Sequence, residues 1–303
     1  MVWTIARQQL LTLRRSGTFI AILATMLLMT ALAGFIGWMS HHTIIKVYDE
    51  TVLLLTAQGK PIPANPFDSK PELALLSNLA IYVPLIGAIL ATIVGHIAMM
   101  EDRASGAARL LFSRPMSRSR YVIGKFLGTT IALAGVLAAS AVLSTLSLVI
   151  VNMHVPAAGE VARLAVFFVI SLVYMLLFAL VGMAFAITSR NRSFAIVAAL
   201  GVWLVLTFVV PQVTSGLRPT TSLNPITDPV STSQPFFQVT AHARPISVSE
   251  QYKRVSASVL QTEPAEPTSR SALRVVPIFG LALLLALIVG RLVARHDYSR
   301  GLQ

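Results

Sequence analysis

The chain has 303 residues, of which 55% are hydrophobic and 12% charged, and its mean hydropathy of +0.74 excludes an ordinary soluble globular domain. It contains no cysteine, which excludes a disulfide framework and a thiolate metal site. A net charge of +12 would suggest nucleic acid in a soluble protein. Here the arginines flank apolar segments and are explained by topology and lipid headgroups, so we expect no nucleic-acid partner.

Six segments that lack Asp, Glu, Lys and Arg predict an all-α polytopic membrane protein with six transmembrane helices. A bilayer core about 30 Å thick needs roughly 20 helical residues, and five of the six runs reach that length. The sixth reaches it if residues 271–274 extend it, with Arg274 snorkelling. The predicted spans are approximately 17–40, 76–100, 126–153, 162–188, 193–217 and 271–290.

The distribution of positive charge predicts that both termini are cytoplasmic. In that orientation the inner segments carry 14 basic and 3 acidic residues, whereas the outer segments carry 10 basic and 9 acidic residues. Lys and Arg favour the cytoplasmic side of a membrane. We therefore expect a multi-pass protein of the cytoplasmic membrane, with external loops at 41–75 and 213–272.

Residues 1–15 predict an amphipathic helix that lies on the cytoplasmic leaflet. Trp3 and Ile5 share its apolar side, and Arg7 and Arg14 share the opposite side. The alternative is that these residues are the frayed start of the first span. Residues 16–303 then form a single transmembrane domain.

Three local patterns refine this picture of the spans. Pro84 predicts a kink in the second span. A strip of small residues in the third span allows another helix to approach closely, and it comprises Gly128, Ala132, Gly135 and Ala139. A short amphipathic helix is predicted in the last outer loop, either on the membrane surface or folded back over the bundle, with one face of Val248, Tyr252, Val255 and Val259.

The inner segment 101–125 is the most distinctive part of the chain. Its residues 101–113 predict a helix with an apolar face of Ala104, Ala107, Ala108, Leu111 and Phe112. Pro115 ends this helix, and Ser117 or Ser119 caps the next one. Gly106 is a poor helix former and indicates close approach or a bend. The pattern favours a protruding helix that a soluble partner could grip.

The order of residues in this segment resembles the permease subunits of ABC-2 type transporters. The resemblance rests on Glu101, Gly106, Leu110-Leu111, Arg114-Pro115, Arg118 and Gly124-Lys125, and it extends over nearly the whole chain. The stretches EDRASGAARLLFSRPMSRSRYVIGKFLG, AALGVWLVL and NPITD are also similar to the permease of the nitrous-oxide-reductase maturation cluster. The outer loops show no comparable similarity, so only the architecture is carried over.

The resemblance implies a type V exporter-like fold, an interfacial N-terminal helix and a coupling helix at 101–115. The coupling residues would be Glu101, Ala104, Gly106, Ala108, Leu111, Phe112 and Pro115, and Arg118, Arg120 and Lys125 would lie at the headgroup boundary. The implied partners are two copies of an ABC ATPase, a second permease copy forming a homodimer, and membrane lipid. ATP and Mg²⁺ would bind the ATPase, and this chain would hold no cofactor.

No catalytic constellation is visible in the sequence, so we expect no enzyme activity in this chain. Phosphate-loop and zinc-protease motifs are missing, and His41 and His42, as neighbours on a helix, point about 100° apart. The spans lack an ionisable residue at mid-membrane of the kind that ion-driven carriers use. The leading alternative is a membrane scaffold that recruits a cytosolic partner without transport, and a membrane-embedded enzyme is the weakest alternative.

Overall fold

The computed structural model describes residues 1–63, 72–106, 117–215, 239–262 and 268–295, and within them every regular element is helical. Short 3₁₀ turns occur at Glu72–Leu76 and Ala241–Ile246, and π-helical turns at Val83–Gly87 and Val205–Val209. The α-helices are α1 (Val2–Arg15), α2 (Gly17–Ala57), α3 (Leu79–Tyr82), α4 (Ala88–Ala104), α5 (Arg118–Asn152), α6 (Ala158–Thr188), α7 (Arg192–Leu204), α8 (Val210–Ser215), α9 (Val248–Val259) and α10 (Thr268–Arg295).

The described residues contain six helical segments that are long and apolar enough to cross a membrane, which confirms the predicted all-α polytopic fold. They are Gly17–Ala57, Glu72–Arg103, Arg118–Asn152, Ala158–Thr188, Arg192–Thr214 and Leu273–Arg295. The second and fifth are composite, since each contains a π-helical turn. The last span is as long as predicted because the helix begins ahead of the charge-free run.

Helix α6 is the centre of the bundle. In its most apolar 18-residue window 72% of the residues are buried, against 11% in the last span. Its most extensive contact is with α4, where Gly95 and Gly182 allow the two backbones to touch. A Cβ at Gly95 would lie 1.9 Å from the carbonyl oxygen of Ala179, and one at Gly182 would lie 2.1 Å from that of Thr92. Only glycine fits these two positions at this separation.

The second span is irregular where proline was predicted to disturb it. Pro84 lies in the π-helical turn between α3 and α4 and has no N–H to donate. Its carbonyl oxygen instead accepts a hydrogen bond from Trp203 Nε1 of α7, at 3.0 Å. The indole therefore ties the fifth span to the second at the irregular turn.

Helix α2 is longer than predicted, so the first loop is shorter than the predicted 41–75. The helix does not stop near residue 40 but continues to Ala57, so residues 41–57 are helical and not part of a loop. At 1.5 Å per residue its 41 residues extend about 60 Å, twice the thickness of a bilayer core. Beyond residue 40 no proline or glycine occurs before Gly59, so nothing in the chain breaks the helix where the charge-free run ends.

The N-terminal helix α1 is a separate element and not the frayed start of the first span. Ser16 adopts an extended conformation between α1 and α2, and its side chain accepts a hydrogen bond from the Phe19 amide. One face of α1, including Ile5 and Leu13, is buried mainly against α5, whereas Trp3 is 63% exposed. This packing brings α1 against the start of the third span.

The short helix predicted in the last outer loop is present as α9. Of its two predicted positions, on the membrane surface or folded back over the bundle, the structure shows the second. It is folded into the bundle, with Tyr252 fully buried against α6. The Tyr252 hydroxyl lies 2.8 Å from Ser171 Oγ, and Tyr174 Oη lies 2.8 Å from Ser249 Oγ. Burial lowers the pKa of Lys253 on the same helix, and the Glu250 carboxylate opposes that shift.

Candidate functional site

The segment predicted to couple to a partner begins where α4 ends. Glu101 belongs to the last turn of α4, Ala104 is its final residue, and Ser105 and Gly106 follow it. Gly106 has a φ of +73°, a left-handed conformation that glycine adopts without strain, so the single helix predicted over 101–113 is wrong at this point. The positive φ fits the predicted bend, and among the described residues a Cβ at Gly106 would meet nothing within 4 Å. Other predicted coupling residues lie outside the described residues: Ala108, Leu111, Phe112 and Pro115.

Arg103 ties the end of α4 to the end of the central helix α6. Its Nη1 donates to the carbonyl oxygens of Ile187 at 3.2 Å and Ser189 at 3.0 Å, and also to that of Ala186. The last carbonyls of a helix have no partner within the helix, and a cation at that end also interacts favourably with the helix dipole. Arg103 thus fixes the base of the coupling segment to the core of the bundle.

A buried ion pair ties the same base to the start of the third span. Asp102 Oδ2 lies 2.7 Å from Lys125 Nζ and accepts a hydrogen bond of 2.9 Å from the hydroxyl of Tyr121. Lys125 donates a further hydrogen bond of 3.1 Å to Gln9 Oε1 of α1. Asp102 is 5% exposed and Lys125 only 2%, so this network is shielded from solvent. We call these four residues the buried network.

The position of Lys125 differs from its predicted place at the headgroup boundary. A lysine at that boundary would extend its ammonium group into water, whereas the Lys125 side chain points into the protein. The carboxylate of Asp102 explains the difference, because a buried ammonium group is tolerated only when it is paired and hydrogen-bonded. Lys125 is therefore a structural link between α4, α5 and α1.

Glu101, Arg118 and Arg120 remain on the surface at this end of the bundle. Glu101 Oε2 lies 3.8 Å from Arg192 Nη2, and both side chains are about half exposed, so the pair is weak and the carboxylate stays accessible. Arg118 donates to the carbonyl oxygen of Ala294 near the end of α10. Both arginines are exposed, as residues at a headgroup boundary would be, and that placement stays a prediction.

The strip of small residues in α5 is divided between a packed half and an open half. A Cβ at Gly128 would lie 2.9 Å from Gln9 Cβ, so this glycine admits α1, and Ala132 is also buried. Gly135 has nothing within 4 Å, and Ala139 is only half-buried. The predicted close approach of another helix is therefore observed at Gly128, and Ala132 is buried.

Sequence reasoning missed three members of the buried network and the role of Arg103. One signal was present: Gln9 lies on the same face of α1 as Ile5 and Leu13, and a polar residue on an apolar face needs a partner. The partners themselves come from helices that are far apart in sequence. Only the fold brings Gln9, Asp102, Tyr121 and Lys125 together.

Arg103 and the buried network together join α4 to α1, α5 and α6. No cluster of metal-binding side chains occurs among the residues that the structure describes. The chain matches the family described as ABC-2 family transporter protein over residues 3–294. It belongs to that family. No curated protein matches the chain.

Family membership fixes the general role of this ABC-2 chain. Proteins of this family form the membrane-spanning part of ABC transporters and are not themselves the catalytic part. An ABC ATPase is their general partner. The six spans and the family together make this chain a multi-pass membrane permease.

Proposed function

We propose that this chain is the permease subunit of an exporter in the cytoplasmic membrane, driven by a separate ATPase through segment 101–115. The observation that carries the proposal is that the end of α4, where the segment begins, is bonded to three other helices. Arg103 anchors α4 to α6, and the buried network anchors it to α5 and α1. A partner that grips the segment would therefore act on four helices at once.

In this mechanism the segment acts as a lever. Closure of the ATPase on ATP would displace the segment together with its base in the last turn of α4, and Gly106 lies just after the end of that helix. The paired and buried charges at the base resist local deformation, so the displacement is passed on as a rigid shift of helices. This shift of the helices then opens the transport path alternately to the two sides of the membrane.

The proposed assembly contains two permease copies and two ATPase subunits. Six spans, with α6 buried at their centre, leave little space for a path within one chain, so a path between two copies is the simpler arrangement. ATP and Mg²⁺ would be held by the ATPase subunits and not by this chain. The similarity to the permease of the nitrous-oxide-reductase maturation cluster is part of this proposal and assigns no cargo.

Co-expression with candidate ABC ATPases, sought first among the genes that neighbour this one, tests the proposal. Tagged permease should retain the ATPase through purification, and the complex should hydrolyse ATP in vesicles. Leu111→Asp should abolish retention, because it places a charge on the predicted apolar face of the segment. Val155→Asp is the matched control, since Val155 is 79% exposed in the connection between α5 and α6.

The outcomes separate transport from scaffolding. Cargo-stimulated ATP hydrolysis that Leu111→Asp removes and Val155→Asp leaves intact supports the permease. Retention of a cytosolic protein without any ATP hydrolysis would instead establish the scaffold. Equal effects of the two substitutions would contradict a specific role for segment 101–115.

A further inference from the structure

A cavity of about 680 Å³ opens on the same end of the bundle as the buried network. It lies between the corner that joins α1 to α2, the last turns of α4 and the start of α7. Its volume falls within the range of about 300–1,000 Å³ that is typical of small-molecule sites. Six of its lining residues matter here: Arg15, His96, Glu101, Asp102, Arg192 and Ser193.

The cavity is lined by two arginines and two carboxylates, and an excess of positive charge arises because Lys125, which is not a lining residue, offsets one of the carboxylates. The Asp102 carboxylate is neutralised by Lys125 at 2.7 Å, and the Glu101 carboxylate faces Arg192 at 3.8 Å. Arg15 has no carboxylate partner among the residues that the structure describes. The positive end of the α7 dipole adds to this excess at Ser193. The cavity therefore suits an anion better than a cation.

A buried histidine on the wall of the cavity also lacks a partner. His96 is 4% exposed, and its Nδ1 makes no hydrogen bond within the described part of the chain. A buried polar atom without a partner is costly, and either a water molecule or a bound ligand in the cavity could supply one. His96 lies in the same helix as Glu101 but deeper in the bundle, and it adds a polar group to an otherwise aliphatic wall of Ile93 and Ile97.

The position of the cavity relative to the ends of the membrane spans indicates which class of anion it binds. Arg15 lies two residues before α2 begins, and Arg192 is the first residue of α7, so both guanidinium groups sit at the ends of membrane spans. That is the level of lipid headgroups, and basic pockets between transmembrane helices bind anionic headgroups. We propose that this cavity binds the phosphodiester headgroup of an anionic phospholipid, held by Arg15 and Arg192.

Native mass spectrometry of the purified, delipidated full-length protein tests this site. The protein is incubated with phosphatidylglycerol, with phosphatidylcholine or with soluble glycerol 3-phosphate. We expect one tightly held phosphatidylglycerol per chain, preferred about tenfold over phosphatidylcholine. The double variant Arg15→Gln with Arg192→Gln should lower phosphatidylglycerol affinity by about tenfold or more.

Two further variants separate a built site from general surface charge. Arg14→Gln with Arg190→Gln removes neighbouring charges that do not line the cavity, and it should leave lipid binding unchanged. Ser193→Trp keeps every charge but fills the cavity, and it should weaken binding as strongly as the first double variant. Thermal unfolding checks that each variant is folded.

Three results would overturn the proposal. Equal loss of lipid in the two arginine double variants would mean that only surface charge matters. Unchanged binding in Ser193→Trp would place the lipid outside the cavity. Displacement of the lipid by glycerol 3-phosphate at equal affinity would assign the site to a soluble phosphate ligand.

Discussion

In the Asp102–Lys125 pair, each buried charge needs an opposite charge and further hydrogen bonds around it. Each group is stable in its position only because the other is there, with Tyr121 and Gln9 completing the hydrogen bonds. Pairs of this kind gain little net stability over apolar residues of similar size, but removing one partner leaves an uncompensated charge. The pair therefore specifies how α4 and α5 sit together more than it strengthens the fold.

Removing one member of this pair should destabilise the protein, and removing both should largely restore it. We expect Asp102→Ala to lower the free energy of unfolding by about 3–5 kcal/mol, because Lys125 is left buried and unpaired. Asp102→Ala combined with Lys125→Met should be close to the wild type. Denaturation in detergent measures the wild type, Asp102→Ala, Lys125→Met and the double variant.

Glu101→Gln is the control for this prediction. Its neighbour Arg192 is 3.8 Å away and both side chains are half exposed, so the change should be less than about 1 kcal/mol. If the double variant of Asp102 and Lys125 is as unstable as the two single changes added together, the pair is not coupled in the way described here.

At the scale of elements, the crossing of α4 and α6 depends on two glycines that face carbonyl oxygens. Gly182→Ala would place a methyl group 2.1 Å from the Thr92 oxygen, so the two helices must separate. We expect a loss of about 1–3 kcal/mol, the usual cost of overpacking. The unfolding midpoint in detergent should fall accordingly.

Gly135→Ala is the matched control for the helix crossing. This glycine is also in a transmembrane helix but has nothing within 4 Å of a Cβ. The substitution should be neutral or stabilising by up to about 1 kcal/mol, because alanine favours helix over glycine. Equal destabilisation by the two substitutions would contradict the close contact at Gly182.

The sequence predicted helices correctly where local composition determines them. It failed where the extent or packing of a helix depends on contacts with other parts of the chain. The six spans follow from hydrocarbon thickness, and α9 follows from a 3.6-residue period. The extension of α2 to Ala57 was missed because the end of an apolar run was taken as the end of a helix. The crossing at Gly95 and Gly182 was missed because the sequence does not reveal which glycines face a neighbouring backbone.

The candidate site was only partly predictable for the same reason. The bend at Gly106 was found from the local pattern, whereas the coupling role of Glu101 comes from the family resemblance and stays a prediction. The role of Lys125 was not found from the sequence, because its carboxylate partner lies across a helix interface. A charge near a span end looks the same in the sequence whether it points to headgroups or into the protein.

At the scale of the whole molecule, the orientation in the membrane is a direct prediction of the charge distribution. The chain has no cysteine, so single cysteines can be introduced without background labelling. Val155→Cys should react with a membrane-impermeant maleimide in intact cells, because the connection between α5 and α6 is predicted to be external. Ser117→Cys should react only after permeabilisation, and its side chain makes no capping bond that the change would break.

The opposite labelling pattern would contradict the orientation. If Ser117→Cys reacts in intact cells and Val155→Cys does not, segment 101–115 faces outward. A cytosolic ATPase could not reach it there, and the proposed coupling would fail with the topology.

Cross-linking of segment 101–115 to the ATPase tests the central proposal most directly. Ala108→Cys provides the only cysteine of the chain and carries a photoreactive cross-linker in membranes that contain the co-expressed ATPase. The account predicts a permease–ATPase adduct from Ala108→Cys and none from Val155→Cys. No adduct at Ala108, or equal adducts at both positions, would contradict it.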